Sequence, residues 1–296
     1  MSEKTLRMAL YCLVAVTALY VAVTLLGGGG NGSVAADPAL AEAFGEMAGE
    51  SHTRFDIAGP RDTVRLEREV DGWTVNGFKA DSSAVSRFLR AVDEVEIATV
   101  AATNPANHGR LGVTADSAWA LAAGDGPTVL LGNTGNRFRT AYARLPDEDR
   151  VSLIEGDLRS AAARSLVDWR DKMILRVDTA TVAGITVVRD GGTLAYERQD
   201  SSWISGGDEA DATTVRNILQ ELANMRASGF APEDVSMPDE PERTVVAVDA
   251  EGSELASLAL SEGDGNFRVT SADSPYIFEI PTFRANRVAP GPPDEG

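Results

Sequence analysis

Two histidines, one cysteine and a pair of tryptophans in matching surroundings are where this chain could do chemistry. His108 stands in "NPANHGRLG", where the preceding Asn104-Pro-Ala-Asn107 reads as a turn. An imidazole there is read as satisfying backbone groups, in preference to a metal ligand or general base. With only His52 elsewhere, a metal site would need carboxylates to complete it. A Ser-His-Asp arrangement would need an exposed serine beside one of these rings, and no G-x-S-x-G elbow occurs. "EGDGNF", Glu262 to Phe267, spaces its acids as calcium loops do, but Phe267 occupies the position that needs glycine. A hairpin turn is the reading adopted. No Walker A sequence is present, and "GDGPT" and "GNTGN" read as turns between strands. Cys12 is the only cysteine, so the chain forms no internal disulfide or thiolate cluster. The reading names no catalytic, metal or cofactor-binding residue and no cofactor.

Trp73 and Trp203 are the remaining candidates, as stacking platforms or as core. "WTVNGFKADSSAVSRFL", from Trp73, and "WISGGDEADATTVRNIL", from Trp203, share their Trp, Gly, Ala-Asp and Val/Leu spacing. Aligned without gaps at an offset of 130, residues 55–89 and 185–219 have nine identities in 35 positions. Roughly one in sixteen is expected of unrelated residues with ordinary usage, so the economical account is an internal duplication. The identities are Thr63/Thr193, Glu67/Glu197, Arg68/Arg198, Trp73/Trp203, Gly77/Gly207, Ala80/Ala210, Asp81/Asp211, Val85/Val215 and Leu89/Leu219. Recurrence of Trp at one strand position in both segments favours core packing over a platform.

The elements follow from pattern. "TVRLERE" and "TLAYERQ" alternate apolar and polar residues, as half-buried strands do. A short turn leads from each to a Trp strand. Asp81 and Asp211 then cap helices whose stripes are Val85, Phe88, Leu89, Val92 and Val215, Ile218, Leu219, Leu222. "GPTVLLGN", "NRFRTAYARL" and "RVSLIEG" read as later strands of the first unit; "GSELASLALS", "NFRVTS" and "YIFEIP" read as those of the second. "DLRSAAARSLVDWRDKMIL" adds a helix and exit strand to the first unit. The expected fold is α+β: two tandem duplicated modules, 52–180 and 181–288, each a mainly antiparallel sheet backed by a helix. The tail 289–296 is too rich in Pro, Gly and acid to order. "PDED" and "DEPE" read as solvated loops.

Ahead of the modules, Met8–Leu26 is a 19-residue run without charge. As a helix it spans roughly 28 Å, about the hydrocarbon thickness of a bilayer. Lys4 and Arg7 precede it and no Lys or Arg follows before Arg54, which places residues 1–7 in the cytoplasm and the bulk outside. A cleaved signal peptide, with "SVA" at 33–35 as its site, is the alternative; the run is longer than such peptides use. Cys12 lies too early in the run for a lipoprotein. The linker and short helix occupy 27–51, where "GGGGNGSVAA" is a tether of about 17 Å reach. Asp37-Pro38 then caps and starts the short helix, which runs to about Met47.

Basic residues number 27 against 45 acidic, a net charge of −18. Such a surface repels phosphate backbones and anionic lipid headgroups, which argues against nucleic acid as a partner. "ATNPANHGRLGV" at 102–113, the Gly-bounded strands ending "LLGN", the strand of Tyr142 and "WRDKMIL" at 169–175 together resemble the DUF4340 family, over most of 63–285. The resemblance implies an envelope protein with an N-terminal membrane helix. Some relatives are similar in setting to auxiliary components of ABC transporters of the gliding-motility type. It supplies no catalytic residues. The resulting expectation is a non-catalytic, single-pass protein of the cytoplasmic membrane whose partners are membrane or envelope proteins. The alternative is a ligand-binding or hydrolytic domain acting between the two repeats.

Overall fold

Asp37 and Pro38 start a helix as their types require. In a computed structural model of the protein, residues 37–49 and 51–291 are described; the apolar run 8–26, the tether 27–36 and residues 292–296 lie outside them. Among the described residues no helix is long and apolar enough to cross a membrane. The chain divides into two compact units, one ending at Arg170 and the other starting at Asp171.

Unit 1 opens with α1 (Pro38–Met47), whose N-cap Asp37 accepts from the Leu40 amide at 3.2 Å and from the Ser152 hydroxyl at 3.3 Å. Asp37 is itself buried, so this carboxylate fixes where the helix enters the fold. Strands β1 (Arg54–Ala58), β2 (Thr63–Glu69), β3 (Gly72–Val75) and β4 (Phe78–Lys79) lead to α2 (Ser82–Asp93). Then come β5 (Glu96–Ala102), the one-turn α3 (His108–Leu111), β6 (Trp119–Ala123), β7 (Val129–Thr134), β8 (Thr140–Arg144) and β9 (Val151–Glu155). Two short helices close the unit, α4 (Leu158–Ala162) and α5 (Leu166–Trp169). The strands form one antiparallel nine-stranded sheet, ordered β4-β3-β2-β1-β6-β7-β8-β9-β5. In β2 only Val64 and Leu66 are buried, the period-two burial that "TVRLERE" spells. Ala84, Val85, Phe88, Ala91 and Val92 of α2 pack with them into one core.

Unit 2 begins with β10 (Met173–Leu175) and repeats the run of hairpins: β11 (Gly184–Arg189), β12 (Gly192–Gln199), β13 (Ser202–Ser205), β14 (Asp208–Glu209), then α6 (Ala212–Ala223). The short β15 (Met225–Arg226) and β16 (Gly229–Phe230) follow, then β17 (Arg243–Val248), β18 (Glu254–Glu262), β19 (Phe267–Ser271), β20 (Ser274–Ile280) and α7 (Thr282–Val288). Its nine-stranded antiparallel sheet is ordered β14-β13-β12-β11-β17-β18-β19-β20-β16. Position by position, this is the strand order of the first sheet. The expected α+β class, with two large antiparallel sheets and few helices, is what the protein adopts.

The local causes match as well. Val75 pairs with Phe78 across Asn76 (φ 49°) and Gly77 (φ 83°), and Ser205 pairs with Asp208 across Gly206 (φ 62°) and Gly207 (φ 94°). Positive φ at both central residues is the two-residue turn that suits twisted strands, and it is why glycine recurs at 77 and 207. Asp81 accepts from the Ser83 and Ala84 amides at 2.9 and 3.0 Å; Asp211 accepts from the Thr214 amide and hydroxyl, both at 2.7 Å.

Those bonds, the Thr214 hydroxyl first and its amide second, hold the Asp211 carboxyl below its usual value near 3.8. A depressed carboxyl stabilises the fold fully above the unfolded value and loses that contribution as pH falls through the folded one. We therefore expect the Thr214 amide to exchange slowly at pH 6 and to lose protection below about pH 3.8, as hydrogen exchange across that range would read.

Several details depart from the sequence reading. β10 pairs with β15, so the exit strand expected in the first module belongs to unit 2, and the units part at 170/171 instead of 180/181. "DLRSAAARSLVDW" forms two short helices, with Ala163–Ser165 between them. Ala289, expected to open the tail, is buried, and its carbonyl accepts from Arg189 at 3.2 Å. "EGDGNF" is a hairpin turn as expected, with the Gly263 amide donating to the Asn266 carbonyl.

Candidate functional site

The expected turn around His108 is a single 3-10 turn, Pro105–Asn107, running into α3. The His108 ring Nε2 lies 2.9 Å from the Asp149 carbonyl, and the His52 Nε2 lies 2.6 Å from the Glu46 carbonyl. A carbonyl only accepts, so each Nε2 is a donor, and its hydrogen bond goes to backbone instead of to a serine hydroxyl. Among the described residues no group of three or more His, Cys, Asp or Glu is placed to hold a metal.

What His108 helps to build is a buried guanidinium. Arg144 donates to the carbonyls of Val113 (2.8 Å), Leu145 (2.9 Å), Pro146 (2.7 Å) and Glu148 (3.1 Å). Burial pulls its pKa down, and Asp149 and Asp147 oppose that. The "PDED" loop, expected to be merely solvated, therefore wraps a charge with its backbone. Leu111, Val113 and Val151 form a small apolar cluster beside it, joined by Ala102 and Tyr142. Much of the segment that carries the family resemblance is thus spent on docking one loop against the sheet.

The tryptophans do more than fill the core. Trp73 and Trp203 are half-buried and pack on the cores of their units, as expected, but each also walls a groove. In unit 1 the groove measures about 350 Å³ and is lined by His52, Phe55, Arg68, Trp73, Leu89 and Arg90, with Met47, Val92 and Asp93 at its floor and side. In unit 2 it measures about 410 Å³ and is lined by Trp203, Val215, Arg216, Leu219 and Gln220, with Glu209 at the rim. Gly49/Thr179, Trp73/Trp203, Ser86/Arg216, Leu89/Leu219, Arg90/Gln220 and Asp93/Ala223 line both grooves at the same offset of 130. Leu89 and Leu219, read as part of the helix stripe, sit at its edge and face these grooves.

Arg68 and Arg198 are the cross-strand neighbours of the two tryptophans. Arg198 places its guanidinium 5.1 Å from the Trp203 ring centroid while donating to the Ala180 and Thr179 carbonyls at 2.9 and 3.2 Å. It thereby ties the segment entering β11 to the tryptophan, as a cation over an aromatic face. The backbone repeats this tie: the Arg68 amide donates to the Thr53 carbonyl and the Arg198 amide to the Ala183 carbonyl, each at 2.8 Å. In unit 1 the aromatic wall is deeper. The Phe55 ring lies 6.1 Å from Trp73, 5.2 Å edge-on from Phe88 and 5.7 Å from His52. Such a wall can hold an apolar or flat group by burial and stacking. In the unit 2 groove the Ser202 hydroxyl donates to the Glu209 carboxylate at 3.5 Å, a contact at the outer limit of a hydrogen bond and too long to activate a nucleophile; in the unit 1 groove the His52 Nε2 is given to backbone. Sequence alone gave no access to the grooves, because their linings come from three separate stretches of chain that only the fold brings together.

Fold and grooves define an α+β protein of two similarly ordered sheets, each with a tryptophan-walled groove. The chain belongs to the DUF4340 family, a domain of unknown function, whose model matches residues 73–247, more than half of its length and parts of both units. No curated protein and no solved structure matches it.

Proposed function

We propose that this is a single-pass, membrane-anchored extracytoplasmic protein. On this reading two duplicated modules act through contacts with other membrane or envelope proteins, as an accessory part of a transport or envelope complex. The observation that carries the anchor is the 19-residue uncharged run, preceded by Lys4 and Arg7 and followed by no basic residue before Arg54. The duplication is supported by nine identities at one offset and by the shared strand order of the two sheets. A ten-residue Gly-rich tether has a root-mean-square reach of about 17 Å, which favours partners close to the bilayer face. The net charge of −18 opposes nucleic acid as a partner.

Chemical crosslinking in intact cells, followed by detergent purification of the full-length chain, tests the reading. The expected product is a defined complex with one or a few membrane or envelope proteins in fixed ratio. Recovery of an uncrosslinked monomer at native abundance would overturn it.

A further inference from the structure

The groove beside Trp73 carries a charge opposite to that of the chain around it. The protein has a net charge of −18, yet among the described residues that line this groove Arg68 and Arg90 stand against one carboxylate, Asp93. That carboxylate already accepts from the Gly49 amide at 3.0 Å. The walls are Phe55, Trp73 and Leu89 over a floor of Met47 and Val92, so an apolar interior lies beneath a cationic rim. Low-dielectric walls strengthen the field of such a rim. At about 350 Å³ the space falls within the roughly 300–1,000 Å³ range of small-ligand sites.

The groove at Trp203 is the built-in comparison. It keeps the Trp-Leu frame but has Gln220 where Arg90 stands and adds Glu209; Arg216 replaces Ser86, and Arg198 over the Trp203 ring donates to the Thr179 and Ala180 carbonyls. The apolar frame is common to both; among the lining residues, a second arginine belongs to unit 1 alone.

We propose that the Trp73 groove binds a small anionic amphiphile. Its apolar body lies against Trp73, Phe55 and Leu89, and its carboxylate or phosphate head sits at the rim with Arg68 and Arg90. Burial of the alkyl body supplies affinity in proportion to its area, and the charge-assisted contacts at the rim select the sign of the head. A free acid and an anionic lipid headgroup share this chemistry.

The test uses the full-length chain labelled with 5-fluorotryptophan in phosphatidylcholine nanodiscs, its four ¹⁹F lines assigned by single Trp→Phe variants. Octanoate should move the Trp73 line at concentrations where octylamine does not. The Trp203 line should respond at least about tenfold more weakly, and Arg90→Glu should weaken the Trp73 response about tenfold or more while leaving the buried Trp169 line in place. Movement with octanoate assigns a free acid; movement seen only when phosphatidylglycerol replaces part of the disc lipid assigns a headgroup. Either result supports the site. No movement of the Trp73 line in either arm, an equal response to octylamine, an equal response at Trp203, or an unchanged response in Arg90→Glu would overturn it.

Discussion

Replacing Trp169 by Ala should cost about 3–5 kcal/mol and open unit 1 locally. Trp169 has no exposed surface and is among the largest fully buried side chains of the protein. Its ring meets Phe88 edge-on at 5.6 Å, Phe88 meets Phe55 the same way at 5.2 Å, and the Arg164 guanidinium lies 5.8 Å from the Trp169 ring. The backbone adds a second tie, because the Trp169 carbonyl accepts from the amide of Asp81, the N-cap of α2, at 2.8 Å. Truncation leaves a cavity under α2 that the short α5 cannot refill. Trp169→Phe is the informative companion. The indole Nε1 is buried without a hydrogen-bond partner, and leaving such a group unsatisfied costs about 1–3 kcal/mol. Phenylalanine removes that penalty and keeps the edge-on contact, so we expect it to cost under about 1.5 kcal/mol. Denaturant unfolding would give both values, and hydrogen exchange in the Ala variant should show lost protection across α2, α4 and α5. Ala and Phe variants of equal stability would contradict this account of the site.

Glu221→Ala should be the corresponding lesion in unit 2, at about 3 kcal/mol. Glu221 is 4% exposed on α6 and accepts from Arg284 of α7 at 2.5 and 2.8 Å, with Arg287 at 3.3 Å. Arg284 also donates to the Arg226 carbonyl, so one ion pair fastens α7 to α6 and to the end of β15. Loss of the carboxylate leaves the largely buried Arg284 guanidinium without its ion-pair partner, while Arg287 keeps its hydrogen bond to Gln220 at 2.8 Å. The position equivalent to Glu221 at the offset of 130 is Ala91, which packs among Ala161 and Ala162 of α4. One unit thus closes its helix pair with methyl groups and the other with charge. Because the pair is largely buried, its contribution should change little between about 0.1 and 0.5 M salt. Urea unfolding of wild type and Glu221→Ala at both salt concentrations checks this; a difference that vanishes in high salt would mean that the pair acts as a surface contact.

The parts of the fold that were legible in the sequence are those where one physical rule acts alone. Alternation in "TVRLERE", the short turn before each Trp strand, and Asp before an apolar stripe each spell the observed strand, hairpin or helix. β6 carries no strand signal, since "WALAA" is four-fifths alanine and leucine with no β-branched residue. α7 likewise carries no start signal, because Pro281 at the N-cap offers no side-chain acceptor and the helix is held by Glu221 from another element. Nothing local in β10 shows which unit it joins, because its pairing with β15 spans some fifty residues of chain. Recurrence of the tryptophans at one strand position points to core packing, which accounts for one face of each ring. Their other face is seen only once α1, β3 and α2 meet around His52 and Arg90.

The claim on which the functional reading rests most heavily is that both units lie outside the membrane behind residues 8–26. Val70 is fully exposed at the tip of the β2–β3 hairpin, and Cys12 lies within the proposed span. A Val70→Cys variant treated in intact cells with a membrane-impermeant maleimide tests it directly. The account predicts labelling without lysis, on a protein that stays in the membrane fraction after carbonate washing. Labelling only after lysis, or release of the chain by carbonate, would contradict it.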